Sequence, residues 1–123
     1  MKNVDTGDRF PPSFDSNASP SSRQNLVEVD EMLKDLIPDF MARRFQEFEL
    51  MEDLASRRDY EALANYGHKL KGSSLNYGFR YLGGLASQLE LAAHSQNLDL
   101  VHQLVQEIQN HVRQVRIVYV EES

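Results

Sequence analysis

The chain has 123 residues, 41% of them hydrophobic and 26% charged, no cysteine, and a net charge of −6. That size fits one domain with a modest core, the missing thiols exclude disulfides and thiolate metal sites, and the acidic balance argues against a nucleic-acid binder, which needs a basic face. No apolar run approaches the ~18–20 residues of a bilayer span, and MKNVDTGDRF lacks the apolar segment of a secretory leader, so a cytoplasmic protein without membrane contact is expected.

Residues 1–25 read as a disordered tail. MKNVDTGDRFPPSFDSNASPSSRQN is rich in Pro, Ser, Asn and Asp and has neither helical nor strand periodicity, so it buries too little apolar area to offset the entropy of ordering. Residues 26–120 are expected to form the folded domain. Asp30 is placed to cap a short helix carrying Met32, Leu33, Leu36 and Ile37. Pro38 suits the first turn of the next helix, which is expected to run unbroken to about Arg58 with Phe40, Met41, Phe45, Phe48, Met51, Leu54 and Ala55 as its apolar stripe.

Asp59 caps a third helix that ends near Gly78, a left-handed stop. A fourth helix, from about Phe79 to Ser95, carries Leu82, Leu85, Ala86, Leu89 and Ala93, and Asn97 marks the turn after it. The last helix, roughly 98–119, presents Leu98, Val101, Val105, Ile108, Val112 and Val115, although RIVYVEES at its end is β-branched enough to extend differently. Short connections imply antiparallel neighbours. The expected fold is therefore all-α: an up-down antiparallel four-helix bundle with an additional short N-terminal helix.

The third helix, YEALANYGHKLKGSSLNYG, has two faces. Leu63, Gly67, Leu70, Ser74 and Tyr77 recur at four, three, four and three, which makes a core seam. His68 and Lys71 fall off that seam and share a second, exposed face with Ala64, Gly72 and Leu75. Gly72 is costly there, at about 1 kcal/mol against alanine in a helix interior. It leaves room one turn beyond His68 for something bulky.

Charge supports the same spot. Leu26–Tyr66 holds eleven acids against five bases, whereas Gly67–Tyr81 holds Lys69, Lys71 and Arg80 and no acid. Such a basic window suits an anion. Imidazole is largely neutral and nucleophilic at pH 7, and a phosphoryl group on it would add roughly −1.5 to −2 charge. Lys71 at ~4 Å would offset part of that, by about 1–4 kcal/mol depending on the dielectric. Lys69 points about 100° away and reads as a field or partner contact.

His68-Lys69-Leu70-Lys71-Gly72-Ser73-Ser74 resembles the H-x-x-K-G-S/A-S/A signature of histidine phosphotransfer (Hpt) domains, and the resemblance extends over about residues 30–118. It implies a four-helix bundle that carries a phosphoryl group between aspartates of response-regulator receiver domains, or to and from a hybrid histidine kinase. It implies no ATP site, cofactor or metal on this chain, since the receiver brings the aspartate and Mg²⁺. On this resemblance His68 matches the phosphoacceptor, Lys71 the phosphate-supporting lysine, Gly72 the close-approach position, and Ser73 and Ser74 the small positions. Lys69, Leu75 and Phe79 are the candidates for partner docking, and a monomer is expected. Some members place a glutamine near the acceptor histidine. Here Glu90, with Gln88 two residues earlier, stands in that region, and the role stays unassigned.

Other readings are weaker. Gly67 and Gly72 mimic the ends of a phosphate loop, but Ser73 stands where its lysine must be. His94, His102 and His111 lack metal-ligand spacing and read as surface or helix-end residues. The main alternative is a non-catalytic helical module that binds a signalling partner. An acceptor serving a separate kinase domain is another.

Overall fold

The computed structural model describes residues 25–121. In chain order these form a strand β1 (Leu26–Asp30), a 3₁₀ turn (Glu31–Leu36), helices α1 (Ile37–Gln46), α2 (Phe48–Ser56), α3 (Tyr60–Asn76), α4 (Arg80–His94) and α5 (Leu98–Gln114), and a strand β2 (Arg116–Val120). The helical bundle foreseen from the sequence is present, with α1 and α2 together making its first arm. The expected tail lies outside the described residues except for Asn25, which is described.

The core follows the periodic stripes. Met51, Leu54 and Ala55 of α2, Leu63 and Leu70 of α3, Leu82, Leu85, Ala86, Leu89 and Ala93 of α4, and Val101, Val105, Ile108 and Val112 of α5 are all buried. Side chains cap the starts of α3 and α5. Asp59 accepts from the Ala62 amide at 3.2 Å and Asn97 from the Leu100 amide at 3.2 Å, each satisfying one orphan donor of a helix start. Gly78 adopts φ +89° between α3 and α4, the left-handed stop expected of it.

Three expectations at the ends of elements are corrected. The short N-terminal helix is present at the expected place, but as a 3₁₀ helix rather than an α-helix, and it follows the strand β1. Asp30 does cap it, accepting from Met32 N at 2.9 Å, but three residues per turn do not align Met32, Leu33, Leu36 and Ile37 on one stripe. Met32 is 87% and Leu36 49% exposed, while Ile37 is buried. The helix to Arg58 is interrupted at Glu47, whose backbone has φ −85° and ψ −3° and whose carboxylate is drawn to Arg44 and Tyr66.

The last helix stops at Gln114 rather than 119. Arg116–Val120 pairs in parallel with Leu26–Asp30, from Leu26 opposite Arg116 to Asp30 opposite Val120. Val27 and Val29 alternate inward and are buried, which rewards an extended backbone for this β-branched run. The strand pair clasps the two ends of the described domain together.

Candidate functional site

The site is built on α3, where it packs against α4. A Cβ added at Gly67 would lie 2.9 Å from the Ala86 carbonyl oxygen and 3.0 Å from the Glu90 amide nitrogen. Glycine there lets the two backbones touch, and this contact brings Glu90 of α4 up to the residue after Gly67. That residue is His68.

The His68 side chain is 65% exposed near the middle of α3. Its Nδ1 is 3.4 Å from Glu90 Oε2, and Lys71 Nζ, one turn along, is 3.8 Å from Glu90 Oε1. His94 Nε2 lies 3.9 Å from the same Oε2. One carboxylate thus faces two imidazoles and an ammonium group. The contact left open by the sequence is made by Glu90. Signals for it existed in the spacing, but only the Gly67 backbone contact fixes which α4 residue lies opposite His68.

Gly72 is exposed, and a Cβ added to it would meet nothing within 4 Å. No neighbouring helix explains the glycine, so the gap opens to the outside. Leu75, at the far end of this face, is 52% exposed. Gly83 of α4 lies beneath it, where an added Cβ would come 2.7 Å from Leu75 Cδ2. Ala64, read as part of the exposed face, is buried at its other end.

The two serines turn away from His68. Ser73 Oγ donates to the carbonyls of Lys69 and Leu70 at 3.2 and 3.3 Å and accepts from Arg44 Nη1 at 3.4 Å. Ser74 is fully buried in the seam, and its hydroxyl has no hydrogen-bond partner among the described residues. Small size is what both positions supply. Phe79 is corrected as a docking candidate, because it is 1% exposed. It precedes the first turn of α4 and its ring packs 4.8 Å from that of Phe40, so the aromatic area goes to the core.

Lys69 is exposed on the other flank of α3 and borders a cleft of about 400 Å³ shared with α1, lined also by Leu36, Arg43 and Tyr77. Beneath it lies a network that sequence reasoning missed. Buried Arg44 donates to Glu47 at 3.0 Å and stacks over Phe40 at 4.6 Å, while Tyr66 Oη donates to Glu47 at 2.7 Å. Burial first, and the bond to Glu47 second, push the Tyr66 hydroxyl above its ordinary range. Arg44 and Ser73 thereby tie the first arm of the bundle to the motif helix.

His94 and His102 are exposed as expected. His111 is not: it is 3% exposed, its Nδ1 lies 2.9 Å from Asn25 Oδ1, and its ring meets Tyr81 at 5.0 Å. Burial lowers its pKa to about 4. Among the described residues, no group of three or more His, Asp or Glu side chains is arranged to hold a metal ion, and no helix is long and apolar enough to cross a membrane.

The family model described as "Hpt domain" matches residues 30–117, which spans α1 to α5 and every site residue above. Neither the curated proteins nor the solved structures gave a significant match.

Proposed function

The chain belongs to the Hpt-domain family, a family of phosphocarriers in two-component signalling, and on that premise we propose that His68 takes a phosphoryl group from one receiver aspartate and passes it to another. The observation that carries this reading is a 65% exposed imidazole in mid-helix with open space over Gly72 one turn away. A receiver must bring an aspartyl phosphate to within bonding distance of a ring nitrogen, and a missing side chain removes the obstacle.

The step is a substitution at phosphorus. A ring nitrogen of His68 attacks with its lone pair, the bond from phosphorus to the receiver carboxylate breaks, and the electron pair leaves with the carboxylate. The reverse step delivers the group to the next receiver. Lys71 offsets the charge that arrives. Leu75 offers exposed apolar area beside the path of approach, and Lys69 lies on the α1-facing flank. The aspartate and Mg²⁺ come from the partner, so this chain, acting as a monomer, supplies a carrier residue rather than a complete catalytic centre.

Incubation with a phosphorylated receiver domain and Mg²⁺ tests the reading. Label should reach the wild-type chain, be acid-labile and alkali-stable, and be absent from His68→Gln. A chain that binds the receiver without acquiring label would instead be an interaction module. Label retained in His68→Gln would refute the assignment of the acceptor.

A further inference from the structure

We propose that His94 is a charge-compensating residue for the phosphorylated state: the chain takes up a proton at His94 when His68 gains its phosphoryl group. Transfer onto this protein is thereby linked to pH through a residue that is not itself the acceptor. The proposal rests on the phosphocarrier reading above and adds a proton to its balance.

The geometry comes from an open groove between α3 and α4 that His68 and His94 line together. His94 is the last residue of α4, and its side chain is exposed to the same degree as that of His68. Its Nε2 lies 3.9 Å from the Glu90 oxygen that is 3.4 Å from His68 Nδ1, so these two ring nitrogens are at most about 7 Å apart. That is within the Debye length of ~8 Å at physiological ionic strength. A change of charge on one ring is therefore felt at the other.

The charge does change, because phosphorylation brings roughly −1.5 to −2 to position 68, as on other phosphorylated side chains. The titratable groups that face His94 here are Glu90 on its own helix and Tyr60, Glu61, His68 and Lys71 on α3. No titratable residue of α5 lines the groove. Carboxyl, phenol and ammonium groups ordinarily titrate well outside pH 6–8, whereas imidazole titrates near 6.5. Lys71 thus offers a fixed charge. Apart from the acceptor itself, His94 is the group in this cluster whose charge responds in that range.

The balance follows. As His68 attacks phosphorus and the receiver carboxylate leaves, up to one proton passes from solvent to neutral His94. No bond of the transfer step itself is altered. On donation the phosphoryl group departs and that proton returns to solvent. By reciprocity, protons favour the phosphorylated chain to the same degree that phosphorylation favours protonated His94. Lowering the pH through the titration of His94 therefore shifts the transfer equilibrium towards this protein, relative to a chain that lacks the second imidazole.

Proton NMR titration of the His94 ring tests this on the full chain, before and after charging with phosphoramidate, so that receiver docking plays no part. The midpoint should rise by roughly 0.3 to 1 unit on charging, as expected for one or two charges at about 7–10 Å in water. His68→Glu, which needs no phosphoryl group, should raise it by a smaller amount relative to His68→Gln. The transfer equilibrium with a phosphorylated receiver, followed from pH 8 down to pH 6, gives the second readout. The ratio of the wild-type constant to that of His94→Gln should grow about two- to tenfold, and His94→Lys should hold the gain at both ends. An unmoved midpoint in a chain shown to carry phosphate on His68, or coincident pH dependences for wild type and His94→Gln, would overturn the proposal. No label on the chain from either donor would strike the carrier reading instead. A raised midpoint in His68→Glu would then uphold the coupling to His94, and an unmoved one would overturn it.

Discussion

Gly67 and Gly72 are five residues apart on one helix and are glycine for opposite reasons. At Gly67 any Cβ runs into the α4 backbone, so Gly67→Ala forces the helices apart. Overpacking of this kind costs about 1–3 kcal/mol, and urea unfolding should show it. At Gly72 there is nothing to strike. Gly72→Ala should raise stability by up to about 1 kcal/mol from helix propensity, while Gly72→Gln should slow transfer strongly with melting almost unchanged. A large fall in stability for Gly72→Gln would place that position in a packed contact. Lys71→Ala should weaken the phosphorylated state by a few-fold to about a hundredfold, or 1–3 kcal/mol, read from the transfer equilibrium. The exposed histidine, the lysine one turn on and the glycine gap were all legible in HKLKGSS, because each depends only on the period of one helix. The Glu90 contact and the burial of Phe79 were not, because both depend on how a second helix is seated.

At the scale of elements, the helices α3, α4 and α5 were readable because apolar stripes run along all three, and side-chain caps mark the starts of α3 and α5. The ends were not. β1 and β2 pair residues about ninety positions apart, and no local window holds both partners. The β-branched run at 116–120 was the one visible signal of the second strand. Its energetic weight is measurable. Val29 is fully buried whereas Met32 is 87% exposed, so Val29→Ala should cost about 1–3 kcal/mol and Met32→Ser should stay within about 0.5 kcal/mol. Chemical denaturation of the two variants decides between a strand clasp and the capped apolar helix the sequence suggested, in which the costs would be reversed. The break at Glu47 has a related cause. A carboxylate bound to Arg44 and Tyr66 is a tertiary arrangement, invisible in a stripe of Phe and Met at helical spacing.

Across the whole molecule, the clasp, the bundle and the site are joined by buried polar groups. His111 reaches Asn25 from α5, and Asn25 O accepts the amide of Arg116 at the start of β2. In the fold His111 takes up its proton only near pH 4, against 6.5 for a free histidine. Between those values the unfolded chain binds a proton that the folded chain does not, so stability is complete above about pH 6.5 and declines as pH falls. The contribution of this residue should amount to about 2 kcal/mol between pH 7 and pH 5. It appears as the difference in unfolding free energy between wild type and His111→Gln, whose stability should fall less over the same interval. Parallel slopes would mean the imidazole is solvated. This titration concerns the clasp and leaves the exposed face of α3 untouched.

The chain has four histidines, and on this reading His68 alone carries the phosphoryl group. After transfer from a phosphorylated receiver and an alkaline quench, peptide mapping by mass spectrometry should find the modification on the peptide containing His68 and on none containing His94, His102 or His111. Phosphate on any of those three, or on no histidine at all, would contradict the account.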